Sequence, residues 1–178
     1  MIDWVTKIDF AILDFIQDYL KCGFLDWLMP RISALGNSGL IWILIAVAFL
    51  FSKNHRKQGV VLAVGLIVGF LIGNVTLKPL IARMRPSWIN TGIELLIKNP
   101  MDYSFPSGHT LSSFIAAILI TLNNKKLGFV VIPLAALIAF SRMYLYVHFP
   151  SDILGAIILA FIISFIVHKI FFREKISK

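Results

Sequence analysis

Residues 59 to 77, GVVLAVGLIVGFLIGNVTL, carry no charged side chain. A helix rises about 1.5 Å per residue, so a run of this length crosses the roughly 30 Å hydrocarbon layer of a bilayer. Similar runs recur along the chain, and 58% of its 178 residues are hydrophobic. A soluble core of this size cannot absorb so many of them. The pattern predicts an all-α, polytopic membrane helical bundle, a single membrane-embedded domain over residues 1–178. Five spans are expected, at about 30–52, 57–80, 106–122, 127–147 and 151–172. The third reaches useful length only if it begins at the polar PSGH, whose residues then form its first turn. In the second, Gly65, Gly69 and Gly73 fall on one helix face and predict close approach of a neighbouring helix.

Ahead of the spans, residues 2–20 place Asp3, Lys7, Asp14 and Asp18 among Ile2, Val5, Ile8, Ile12, Ile16 and Tyr19. This reads as a retained, amphipathic interfacial helix, and its aspartates suit partial packing on the protein better than an anionic lipid surface. The net charge of +8 comes from short clusters between apolar runs, which argues against a nucleic-acid partner. Lys53, Arg56, Lys57, Lys125, Lys126, Lys169, Arg173, Lys175 and Lys178 share one side of a five-span chain, with Glu174 as the acid among them. The positive-inside rule makes that side cytoplasmic. The loop 81–105, the amphipathic helix and the stretch SRMYLYVHFPSD are then extracytoplasmic. The lone Cys22 excludes an intramolecular disulfide and reads as a packing residue.

Ionisable residues at membrane depth mark function, and three groups gather on the outer side. KPLIARMRPS holds Lys78 and Arg85, seven residues or about two turns apart. FPSGHT opens span three. SRMYLYVHFPSD places Arg142 at the end of span four, with His148 and Asp152 four apart where span five begins. Three converging cations call for a polyanion, and phosphate suits Arg85 and Arg142 through bidentate bonding. Ser107, Gly108 and the first N–H groups of a helix add donors. A histidine pair can divide nucleophilic attack from protonation of the leaving oxygen, and Asp152 is spaced to orient His148. Arg83 reads as a loop cation. His55 and His168 carry no assigned role, and Asn37, Ser38, Asn74 and Thr76 read as interhelical bonding groups.

K-x6-RP (Lys78, Arg85, Pro86), PSGH (Pro106 to His109) and SR-x5-H-x3-D (Ser141, Arg142, His148, Asp152) resemble, in order and spacing, the signature of the type 2 phosphatidic acid phosphatase family. These are membrane lipid phosphatases related to vanadium haloperoxidases. The resemblance implies that His148 is the nucleophile that becomes phosphohistidine, that Asp152 orients it, and that His109 protonates the leaving group. It further implies that Lys78, Arg85, Ser107, Gly108 and Arg142 hold the phosphoryl oxygens, with no metal and no cofactor. The chain departs from six-span members at its amino terminus, where the amphipathic helix replaces the first span.

An outer-face site without a cap domain suits a lipid phosphate in a bacterial plasma membrane. Trp88, Ile89, Leu95, Leu96, Met101 and Tyr103 are expected at the interface beside it. Undecaprenyl diphosphate is the expected substrate, by analogy with small members of the family. Phosphatidylglycerophosphate and phosphatidic acid are the alternatives. A non-enzymatic lipid transporter or scaffold would have no need of His148, His109 and Asp152, and a vanadate peroxidase is disfavoured by the lipid embedding.

Overall fold

A computed structural model describes residues 4–172; Ile2, Asp3, Arg173, Glu174, Lys175 and Lys178, used above, lie outside the described residues. The chain runs as α1 (Trp4–Phe15), α2 (Gly23–Leu35), α3 (Leu40–Phe51), α4 (Arg56–Gly69), the short α5 (Lys78–Ile81) and α6 (Pro86–Ile89), then α7 (Gly108–Asn123), α8 (Lys125–Tyr144) and α9 (Pro150–Phe171). Wide π-type turns continue α1 over Ile16–Leu20 and join α4 to α5 over Phe70–Leu77. No strand occurs among the described residues.

Three helical stretches are long and apolar enough to cross a membrane: Arg56–Ile89, Lys125–Tyr144 and Pro150–Phe171. The expected first span is a broken one, Gly23–Leu35 followed by Asn37–Phe51 with a 43° bend between them. The expected third span is the shorter apolar helix Gly108–Asn123. By length and composition three of the expected spans qualify and the bent pair makes a fourth, while the expected third is a helix of only 16 residues. The bend arises at Gly36 to Gly39, where Ser38 and Gly39 both take left-handed backbone (φ 52° and 67°) that an α-helix cannot continue.

α7 is the central helix. Its Leu111, Ile115, Ala116, Leu119 and Ile120 form one core with Trp42, Val61, Leu62, Ile138, Ala156 and Ala160. The glycine column behaves as expected: Gly65 packs on Leu119, Gly69 on Ile115, and Gly73 on Leu111. Trp42 Nε1 donates to Ser113 Oγ (2.9 Å), a buried polar bond between α3 and α7. Outward, Phe70, Leu71, Phe129, Val130, Ile158, Phe161 and Phe165 are exposed on several helices. So large an apolar exterior is unfavourable in water and normal in lipid.

α1 turns one of its two acids, Asp9, inward and leaves Asp14 exposed. Asp9 and Leu13 are buried, whereas Val5, Ile8, Ile12 and Tyr19 are exposed and Ile16 is not. The helix docks on the α8–α9 turn: Phe10 meets Phe149 edge-on at 5.1 Å, Asp14 accepts from the Tyr146 hydroxyl (3.1 Å), and Gln17 donates to the Tyr144 carbonyl (2.9 Å). Cys22, expected to pack, is exposed.

Gly59 has the least tolerant position, since a Cβ there would meet backbone of α3, Leu50 N at 2.7 Å and Ala46 O at 2.9 Å. Backbone cannot rotate aside as a side chain can. Gly59→Ala should therefore destabilise by about 1–3 kcal/mol, seen as a lowered Tm in detergent, whereas Gly23→Ala, with nothing within 4 Å of its new methyl group, should leave Tm unchanged or slightly raised. Equal Tm values for the two variants would contradict this packing.

Candidate active site

Five segments meet around a cavity of about 990 Å³: the break between α2 and α3, the end of the α4–α5 path, the loop 97–102, the start of α7, and the α8–α9 turn. Lys78, Arg85, Gly108, His109, Arg142 and His148 all line it. Three non-glycine residues with left-handed backbone sit beside these groups: Ser38 (φ 52°), Ala82 (φ 49°) and Tyr146 (φ 58°). Each such conformation costs on the order of 1 kcal/mol and persists only where surrounding contacts hold it. Here each redirects the chain just before or after a site residue: Asn37, Arg83 to Arg85, and His148.

Arg85 is 2% exposed and fully engaged. Its Nε donates to the Asp102 carbonyl (2.6 Å), Nη1 to the Val147 carbonyl (2.6 Å), and Nη2 to Asp102 Oδ1 (2.7 Å). Nη1 also stands 3.1 Å from His148 Nε2. A guanidinium has no lone pair to offer, so Nε2 must accept and the ring proton belongs on Nδ1. Burial, and then the charges of Arg85, Arg142 and Lys78, hold the His148 pKa well below the ordinary value of about 6.5. The imidazole is neutral, with its Nε2 lone pair directed into the group of cations.

Asp152 does not hold His148 in the simple way its spacing suggested. His148 lies two residues before α9 begins at Pro150, in the turn, so the pair is not one helical turn apart on a single helix. Their closest approach, Nδ1 to Oδ2, is 3.6 Å. The Ser104 hydroxyl stands between them, donating to Asp152 Oδ2 (2.5 Å) and lying 3.4 Å from His148 Nδ1. Asp152 Oδ2 also accepts the Phe149 N–H (2.9 Å), which ties the carboxylate to the start of α9.

Arg142, 4% exposed, bonds the Ser33 hydroxyl, and its Nε has no partner among the described residues. A buried guanidinium with an unmet N–H is costly unless an anion completes it. Lys78 pairs with Asp102, whose carboxylate therefore spans Lys78 and Arg85. Burial alone would raise the Asp102 pKa, but the bonds and charges of Lys78 and Arg85 outweigh it and hold the value at about 2. Asp102 thus sits as an anion where the sequence called for phosphate. His109 is bonded through Nε2 to Asn37 Oδ1 (2.9 Å), so the bent span supplies partners to both His109 and Arg142. Ser107, expected among the phosphate ligands, is fully buried and absent from the cavity wall; its Oγ caps α7, accepting from Thr110 Oγ1 (3.0 Å).

Arg83 is no loop cation. It forms ion pairs with Asp152 (2.6 Å) and Asp9 (2.7 Å) and lies over the Phe149 ring at 4.2 Å. Sequence reasoning also passed over Asp9, Ser104 and Asp102. The one available signal was position: the five-span reading of the sequence puts all three, with Arg83, on the same side as the expected site residues. Among the described residues, no group of three or more His, Cys, Asp or Glu side chains is arranged to hold a metal ion.

Comparison with known proteins agrees with this architecture. The PAP2 superfamily profile matches residues 58–176. An undecaprenyl-diphosphatase of Sulfolobus acidocaldarius is 32% identical over 150 residues, spanning 84% of this chain and 72% of that protein. The undecaprenyl-diphosphatase BcrC of Bacillus subtilis is 31% identical over 153 residues, spanning 84% and 74%. The crystal structure of a transmembrane PAP2-type phosphatidylglycerolphosphate phosphatase from Bacillus subtilis superposes with a TM-score of 0.76 at 26% identity, over 98% of this chain and 88% of that one. The chain belongs to the PAP2 superfamily and is a multi-pass membrane lipid phosphatase.

The bonding around His148 has a direct spectroscopic consequence. In 15N-histidine NMR of the empty enzyme at pH 6, His148 should be neutral with its proton on Nδ1, because burial and three nearby cations oppose the imidazolium. A His148 that titrates above 6.5, or carries its proton on Nε2, would contradict the arrangement.

Proposed function

We propose that the protein removes the terminal phosphate of undecaprenyl diphosphate at the extracytoplasmic surface of a bacterial plasma membrane, with residues 1–178 acting as a single phosphatase domain. The observation that carries the reading is the cavity that gathers Lys78, Arg85 and Arg142 around the lone pair of His148. On entry, phosphate displaces Asp102 from Lys78 and Arg85 and completes the unpartnered Nε of Arg142. Gly108, at the start of the helix that Ser107 caps, offers an N–H to a phosphoryl oxygen.

His148 Nε2 then attacks phosphorus while the bond to the bridging oxygen breaks. The cations stabilise the charge spread over the equatorial oxygens. His109 protonates the departing lipid phosphate, and Asp152, through Ser104, favours the ring orientation and the charge that develops on His148. A water, losing its proton to His109, attacks the phosphohistidine. The P–N bond breaks and inorganic phosphate leaves.

Topology supports an outer-facing site. Lys53, Arg56, Lys57, Lys125, Lys126 and Lys169 lie at the far end of the bundle from the cavity, where Lys57 stands 4.2 Å over the Phe172 ring, and the positive-inside rule makes that end cytoplasmic. The substrate assignment is supported by the two undecaprenyl-diphosphatase relatives. It is also supported by the cavity wall, where Ile43, Leu66, Ile67, Phe70 and Leu71 give an apolar surface continuous with the polar head. The similarity to a phosphatidylglycerolphosphate phosphatase favours a diacyl substrate as the second reading.

These readings separate in one assay. Measured in a single detergent, kcat/KM for undecaprenyl diphosphate should exceed that for phosphatidylglycerophosphate and phosphatidic acid by at least about tenfold. Equal values would make the enzyme a broad lipid phosphatase and overturn the assignment.

A further inference from the structure

Behind the catalytic pair lies a second set of charges that the proposed chemistry does not use. Asp152 is completely buried, and its two oxygens have separate duties. Oδ2 faces His148 and accepts from Ser104 and from the Phe149 N–H. Oδ1 points away and is met by Arg83 Nη1 at 2.6 Å. The same Nη1 lies 2.7 Å from the Ser151 hydroxyl, and Nη2 reaches Asp9 Oδ2 at 2.7 Å. Asp9, 2% exposed on α1, closes the circuit: its Oδ1 accepts the Ser151 N–H (2.9 Å) and its Oδ2 the Ser151 hydroxyl (2.5 Å).

We propose that Arg83 is a positioning residue for phosphoryl transfer, clamping Asp152 from the side opposite His148 and anchoring it through Asp9 to the amino-terminal helix α1. The proposal rests on the reading of His148 as nucleophile. A carboxylate held at one oxygen can still rotate about its Cβ–Cγ bond; a charged hydrogen bond at the second oxygen fixes its plane. One guanidinium shared by two carboxylates leaves net negative charge behind His148, the sign that steadies an imidazole gaining positive character as it bonds to phosphorus. Ala82, with its left-handed φ of 49°, turns the chain so that Arg83 leaves towards α1 and α9 while Arg85 enters the cavity. Docking of α1 has other means, namely Phe10 on Phe149, Asp14 with Tyr146 and Gln17 with Tyr144, so holding the helix does not by itself require Arg83.

The test compares Arg83→Gln, Arg83→Lys, Asp9→Asn, the double variant Asp9→Asn/Arg83→Gln and His148→Ala, with kcat, KM and Tm measured separately in detergent. A clamp predicts that Arg83→Gln lowers kcat about 100-fold with KM within about twofold, as expected for a misaimed group that does not touch substrate. Arg83→Lys, able to reach one carboxylate but not both, should fall between Arg83→Gln and the native enzyme. Asp9→Asn should lower kcat less, and the double variant should be no worse than Arg83→Gln alone, because both changes break one chain of contacts. If Arg83→Gln does not fold, Arg83→Lys and Asp9→Asn carry the same comparison. Native kcat in the folded Arg83 variants, a loss appearing only in KM, or fully additive losses in the double variant would overturn the proposal. His148→Ala separates the two readings: turnover surviving there sinks the nucleophile assignment, whereas a dead His148→Ala beside a fully active Arg83→Gln sinks only the clamp.

Discussion

Lys78, Arg85 and Arg142 are brought together inside a membrane bundle, and like charges buried that close repel strongly unless an anion joins them. The structure around them can be understood as the means of meeting that cost. Asp102 supplies one carboxylate, shared by Lys78 and Arg85, and the Ser33 hydroxyl bonds Arg142. Arg142 Nε remains unmet. Three cations facing one carboxylate leave the site short of negative charge, a deficit that a phosphate dianion would correct under the proposed function.

Holding such a site against repulsion requires backbone that ordinary helices do not supply. The bent span delivers Ser33 and Asn37, the turn at Ala82 separates Arg83 from Arg85, and the turn at Tyr146 sets His148 just ahead of α9. Between these irregular segments run regular ones. α7, with a glycine column on one side and the small residues of α8 and α9 on the other, packs tightly enough to fix the helices that carry the site relative to one another.

Much of this was legible in the sequence because membrane solvation leaves little freedom. Apolar runs mark the long helices, and charges too expensive to bury idly mark the residues that meet at the cavity. Lys78, Arg85, Gly108, His109, Arg142 and His148 do line one cavity. What could not be read was contact over long separation. Asp9 and Arg83 are 74 residues apart and nothing local pairs them, so Arg83 looked like a loop cation. The four-residue spacing of His148 and Asp152 suggested one helical turn, but the helix begins only at Pro150, and Ser104, from a loop without regular structure, bridges the gap. Ser107 was read as a phosphate ligand from its place in PSGH; its hydroxyl also caps α7 as an acceptor, a use that any serine at a helix start can serve.

The central claim is that phosphorus passes through His148. Rapid quenching of the enzyme with lipid diphosphate carrying a 32P-labelled terminal phosphate tests it directly. The label should appear on the protein within one turnover, be labile to acid and stable to base as a phosphohistidine is, and map by peptide mass spectrometry to His148. Turnover with no labelled protein at any quench time, or label on another residue, would contradict it.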